Sequence, residues 1–259
     1  MKDFWYIWST LFLTIYYNLI RNIAILKNKL FIPNLDNHLQ YYSNLNILND
    51  NWFEQLPKSK EEQKKFLRLN GIEKYMPEVF FYDFLLKNYK YTSVVDFGCG
   101  NGRLSATLAA LNPDIKFTCT DVNIHTEKLN QIYLLDNIKF TNLDFELVCK
   151  ETDKDLPRLV MARMSLAYLN PESLKKFINI CSEKDLDLAI ADITRYKYLT
   201  DLSRISYTQN SQPVYAHPYE KLLCSKNYII DIDVQKHSSL MNLSTYLFPE
   251  YLTFILARK

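Results

Sequence analysis

Glycine is scarce in this 259-residue chain, which has four. It also lacks any C-x-x-C pair: its five cysteines, Cys99, Cys119, Cys149, Cys181 and Cys224, are widely spaced and odd in number. That pattern excludes a disulfide framework and a cysteine-built structural zinc site, and is read as reduced thiols in a cytoplasmic protein. No dense basic block exists, and the formal net charge is only +2. A phosphate-tracking nucleic-acid groove is therefore not expected. Neither internal repeats nor low-complexity linkers are present. The length suits one domain with an appendage, or two small domains, and is enough to bury a real core.

What the chain does have is a long uncharged run near its start. Residues 4–20, FWYIWSTLFLTIYYNLI, carry no charge and are closed by Arg21. A secretory signal is disfavoured because no small-residue cleavage site follows. A membrane span would need ~20 apolar residues. Thr10, Thr14 and Asn18 recur at helical spacing and mark a narrow polar stripe opposite an aromatic face. The expectation is an amphipathic helix buried against protein, either in a homodimer or as a cap. Membrane contact through these residues is disfavoured.

Residues 34–60 read as loops with short helical pieces. A helix is expected over 58–70 with Gly71 as its stop, then a second over 78–88 after Pro77. From Thr92 the pattern changes. Short apolar runs at 94–97, 116–120, 138–141, 158–162 and 186–191 alternate with helical segments near 102–111, 124–135, 144–150 and 171–181. Such alternation predicts a parallel sheet covered on both faces. Two further runs, 228–234 and 251–257, are expected to pair antiparallel.

Three of the four glycines, Gly98, Gly100 and Gly102, stand in VVDFGCGNGRLS at 94–105, between a strand and a helix. Such clustering implies positive φ or a ligand too close for a Cβ. The dinucleotide fingerprint G-x-G-x-x-G fails, because its third glycine would fall on Arg103. A phosphate-binding G-K-S/T is also missing. The arrangement D-x-G-x-G-x-G, led by Asp96, resembles motif I of class I S-adenosylmethionine-dependent methyltransferases. The resemblance covers most of residues 92–259. Asp121 ends the second run, 25 residues after Asp96, close to the ~20 of a ribose-binding carboxylate.

The resemblance implies a doubly wound, seven-stranded, mostly parallel α/β sheet at 91–259, with residues 1–90 as a helical cap or dimer element. It implies S-adenosylmethionine as cofactor, with Asp96 toward the methionyl amino group, Asp121 on the ribose hydroxyls, and Asp144 and Phe145 at the adenine. Helix capping is the competing role for either Asp121 or Asp144. Transfer would rest on aligning nucleophile, methyl and sulfur. A small-molecule acceptor is expected, on oxygen rather than nitrogen. The N-P-P-Y tetrapeptide of nucleobase amino methylation is missing; its nearest match is Asn170-Pro171-Glu172. Arg163 stands where metal-dependent relatives carry an acid, so no metal is expected. Asp192, Arg195 and Tyr196 are candidates for the acceptor pocket, and His217 is the candidate general base, with His125 a weaker one. Two other readings remain open: another S-adenosyl-type group transfer, such as aminopropyl transfer, and a non-catalytic partner subunit.

Overall fold

The computed structural model describes residues 42–151, 158–195, 204–207, 213–237 and 250–259. The apolar run at 4–20 and Tyr196 lie outside the described residues. Among those described, no helix is long and apolar enough to cross a membrane.

The strands are β1 (Ser93–Phe97), β2 (Lys116–Thr120), β3 (Ile138–Thr141), β4 (Arg158–Arg163), β5 (Asp187–Arg195), β6 (Arg204–Tyr207), β7 (Pro213–Ala216), β8 (Ile229–His237) and β9 (Glu250–Arg258). Seven of them form one sheet in the order β3-β2-β1-β4-β5-β9-β8. β1 to β5 pair parallel, while β9 runs antiparallel to both β5 and β8. The last two strands thus pair antiparallel, as their apolar runs led one to expect. The hairpin β6–β7 forms a separate two-stranded sheet that the apolar pattern did not announce.

Alternating strand residues serve two cores, as the period of 2 requires. Val94, Leu159, Met161, Ala189, Ala191 and Leu256 face one layer. Val95, Val160, Ala162, Leu188, Ile190 and Ile255 face the other. The first layer is made by α1 (Lys60–Lys74), α2 (Met76–Asn88) and α3 (Arg103–Leu111). Residues of α1 and α2 such as Leu67, Val79, Tyr82 and Leu85 thus share one core with the sheet. After the short α4 (Leu129–Ile132), the second layer is α5 (Phe145–Glu151), α6 (Pro171–Glu183) and α7 (Tyr219–Cys224). Asn170 caps α6, accepting from the Glu172 and Ser173 amides, with Pro171 at its first turn. The Asn-Pro-Glu triplet is a helix start.

Two expectations need correcting. The helix expected over 124–135 is a single turn at Thr126–Lys128 followed by the four-residue α4. Side chains take up the backbone that would have continued it. Buried Gln63 accepts from Leu134 N at 2.6 Å and donates to Ile132 O at 2.9 Å. Asn130 pairs both ways with the Phe140 backbone, standing in for a further strand at the sheet's edge. Gly71 is not a helix stop either, since α1 runs on to Lys74. A Cβ on Gly71 would lie 2.1 Å from Thr107 Oγ1 of α3. Glycine stands there so that two helices can approach, not to end one.

Gly71→Ala should therefore destabilise the fold, despite Ala's better helix propensity of about 1 kcal/mol. Overpacking of a fixed contact typically costs about 1–3 kcal/mol, and Thr107 Oγ1 is fixed by donating to Arg103 O at 2.8 Å. The expected result is a lower denaturation midpoint, partly recovered in the Gly71→Ala, Thr107→Ala double variant. A midpoint equal to or above wild type in Gly71→Ala would refute the close-approach reading.

Candidate active site

β1 and β4 are neighbours, yet the chain leaves β1 toward β2 and β3, and leaves β4 toward β5. Strand order reverses there, and the carboxyl ends open a crevice of the kind that holds ligands in open α/β sheets. A cavity of about 1030 Å³ occupies it. Asp96, Gly98, Gly100, Asp121, Asp144 and Phe145 all line it.

Gly98, Gly100 and Gly102 have φ of 73°, 57° and 72°. Two of them are also fixed by packing: a Cβ on Gly98 would lie 2.4 Å from Ser165 Cβ, and one on Gly102 would lie 2.5 Å from the Phe140 ring. Gly102 lies under the loop beside Phe140 and is not among the lining residues. A Cβ on Gly100 would meet only Tyr42 Oη, at 3.4 Å. Gly100 thus presents bare backbone to the cavity, as close ligand approach requires.

The Asp121 carboxylate accepts from Gly100 N at 2.8 Å and from Asn123 N at 3.0 Å. Burial raises its pKa, and the amides pull it back. Each carboxylate oxygen has capacity beyond one amide. Asp96, 3% exposed, accepts from the Ser105 hydroxyl. Burial pushes its carboxyl up to about 7, opposed by that hydrogen bond. Asp144 is exposed and accepts from Glu146 N at 2.8 Å, so it caps α5 while lining the cavity. Phe145 is buried in contact with Phe97 and Phe177.

On the N-terminal side of the cavity stand residues that were not among the expected site residues, although a cap from residues 1–90 was expected. Tyr42, Leu45, Asn46, Ile47, Asn49 and Asp50 lie along it as a strap. Asn123 Nδ2 donates to the carbonyls of Tyr42 and Leu45, both at 2.8 Å. Asn101 Nδ2 donates to Asp50 Oδ2 at 2.6 Å. Trp52 Nε1 donates to Tyr133 Oη at 3.2 Å, and Tyr133 donates to Asn101 O at 3.0 Å. The polar composition of 34–60 signals loops and carries no sign that they cover a site. Arg163, at the end of β4, also lines the cavity with Tyr75, Ser165 and Tyr168.

His217 is not placed as a base. It is fully buried, and it is not among the lining residues. Its Nε2 faces the carbonyls of Leu169 at 3.0 Å and Leu166 at 3.2 Å. Two acceptors require that Nε2 carry the proton and donate. Burial pushes the ring down to about 4. His217 pins the turn Leu166–Tyr168 against the hairpin, the role of a core histidine. Asp192 is likewise fully buried and outside the lining; it accepts from Ala167 N at 3.0 Å and supports the same turn from beneath. Arg195 ends β5, with its side chain outside what is described. His125, half-buried, lies outside the lining.

Residues 80–157 match the family model "Methyltransferase small domain". The ribosomal RNA small subunit methyltransferase C of Buchnera aphidicola subsp. Baizongia pistaciae (strain Bp) is 32% identical over 127 residues, covering 44% of this chain and 37% of that protein. The chain thus spans well under half the length of this curated relative. The magnesium protoporphyrin IX methyltransferase of Synechocystis PCC 6803 with bound S-adenosylhomocysteine superposes with TM-score 0.54 at 15% identity, over 87% of this chain and 99% of that one. Its complex with S-adenosylmethionine gives 0.52 at 13%, over 88% and 98%. These likenesses are of fold.

The raised Asp96 pKa has a stability consequence. Protonated Asp96 favours the fold; that stabilisation is complete below the ordinary value of 3.8 and is lost as pH rises toward about 7. Asp96→Asn keeps the neutral shape throughout. Its thermal midpoint should gain on wild type as pH rises from 5 to 8 in the ligand-free protein. A gap that stays constant over that range would contradict the assignment.

Proposed function

We propose that this chain, which has the fold and the glycine-loop signature of class I S-adenosylmethionine-dependent methyltransferases, binds S-adenosylmethionine at the β1–β4 crevice and methylates a small-molecule acceptor on oxygen. The observation that carries this reading is Gly100, a positive-φ glycine with its backbone bare to the cavity and its amide held by Asp121. The cofactor would supply an electrophilic methyl on a sulfonium. Asp121 has the position and spare lone pairs to accept ribose hydroxyls. Asp144, with Phe145 beside it, can accept from an adenine amino group. Asp96 in its ionised form would meet the methionyl ammonium while the Ser105 hydroxyl holds the carboxylate in place.

The cavity volume of about 1030 Å³ lies at the upper end of the ~300–1,000 Å³ of small-molecule sites. That favours room for a nucleoside donor and a compact acceptor together. His217 and Asp192 are withdrawn from the acceptor side, so alignment carries the transfer in this reading. Tyr75, Tyr168 and Arg163 stand at that side instead. The Buchnera relative is named for ribosomal RNA, which favours a second reading with an RNA acceptor. Against it stands the sequence, which has no dense basic block and a net charge of only +2. The reading places the chain in the cytoplasm, and a homodimer through residues 4–20 stays part of it.

Calorimetry should show binding of S-adenosylmethionine and S-adenosylhomocysteine and none of NAD. Asp121→Ala should weaken both by about 10–100-fold, the worth of a charged hydrogen bond of about 1.5–3 kcal/mol. Labelled methyl should then pass to a small-molecule extract and not to ribosomal RNA. No nucleoside binding would refute the function, and label on RNA would select the second reading.

A further inference from the structure

Among the described residues, the side chains lining the cavity carry four carboxylates, Asp50, Asp96, Asp121 and Asp144, and one cation, Arg163. Arg103, nearby in sequence to the glycine loop, is turned elsewhere. Its Cζ lies 3.6 Å from the centre of the Trp52 ring, and its Nη2 donates to Asn70 O at 3.0 Å. A ligand carboxylate entering such a site is repelled everywhere except at one guanidinium.

That guanidinium is held in one orientation. Arg163 Nε donates to Glu78 Oε1 at 3.0 Å, and the Glu78 side chain is 9% exposed. Its Cζ lies 4.5 Å from the centre of the Tyr75 ring. The Arg163 side chain stays 32% exposed and borders the cavity. A guanidinium has five N–H donors in a rigid plane, and four of them lie on the terminal nitrogens. Glu78 uses the Nε side and Tyr75 covers a face. Among the described residues, no hydrogen bond from the terminal nitrogens is formed. A fork anchored at its base is suited to a carboxylate. β4 pairs with β1 so that Ala162 lies opposite Phe97, which sets Arg163 beside the glycine loop. Its charge reaches Asp96, where it opposes the upward push of burial on that carboxyl.

We propose that Arg163, oriented by Glu78 and Tyr75, is the anchor for a ligand carboxylate in this cavity. This rests on the cofactor reading above. The carboxylate belongs either to the methionyl end of the donor or to an acidic acceptor, and both offer the same chemistry to the fork.

Removing Arg163 alone would leave Glu78 unpaired and could unfold the chain. The comparison is therefore between Glu78→Gln and the double variant Glu78→Gln, Arg163→Met, both checked for native thermal unfolding. Each is titrated with S-adenosylhomocysteine, with 5′-methylthioadenosine, which lacks the amino-acid end, and with benzoate on the S-adenosylhomocysteine-loaded protein. The expected result is a loss of at least about tenfold for one carboxylate probe in the double variant, with methylthioadenosine unchanged. A loss confined to S-adenosylhomocysteine assigns the anchor to the donor. A loss confined to benzoate assigns it to the acceptor. Equal S-adenosylhomocysteine affinity in both variants, with no benzoate binding that depends on Arg163, overturns the proposal. Failure of the wild type to bind either nucleoside overturns the cofactor reading and this proposal with it.

Discussion

Asp121 holds two backbone amides at once: that of Gly100 across 21 residues, and that of Asn123 in its own turn. The first bond ties the loop after β1 to the end of β2. The second starts the turn whose Asn123 side chain grips the strap at Tyr42 and Leu45. The amides of Gly98 and Cys99 add to the join by donating to Thr120 O. One buried carboxylate therefore shapes the floor, the rim and the cover of the cavity together. Its negative charge is tolerated in the interior because backbone amides face it, and those same amides would otherwise be unsatisfied. Function and folding draw on the same group.

The parallel half of the sheet was legible because its strands are buried on both faces and read as unbroken apolar runs between polar turns. The glycine loop was legible for a different reason. Scarcity made three glycines in five positions conspicuous, and positive φ at all three explains them. Gly71 shows the limit of that reasoning. A glycine near a helix end can mark a stop or a close neighbour, and only the position of Thr107 decides between them.

Side chains that act on distant backbone were not legible. Nothing local in the sequence shows that Gln63 ends the helix after Ile132, that Asn130 completes the edge of β3, or that Asp50 reaches Asn101. Polar residues in loops and on helix faces are ordinarily solvated, so their pattern carries little signal. His217 misled for a related reason. A histidine between two tyrosines in a loop-like stretch suggests chemistry, whereas the hairpin before it and the carbonyls of Leu166 and Leu169 make it a packed donor. In the sequence Arg163 shows only as a departure from a metal-binding acid; its partners Glu78 and Tyr75 come from a helix region some 85 residues earlier.

The placement of β9 bears on how the chain folds as it is made. β9 comes after β8 in the sequence, yet it sits between β5 and β8 in the sheet. During synthesis β8 emerges first and has no partner in the order it will finally adopt. Until residues 250–258 follow, β5 presents an open edge, and its inner residues Leu188, Ala189, Ile190 and Ala191 are all fully buried in the finished protein. An unpaired apolar edge of this kind is a template for pairing with another nascent chain. Completion of the sheet is thus a late, long-range event that joins residues 188–195 to 250–257, and the interval before it is when the chain most needs protection from its neighbours.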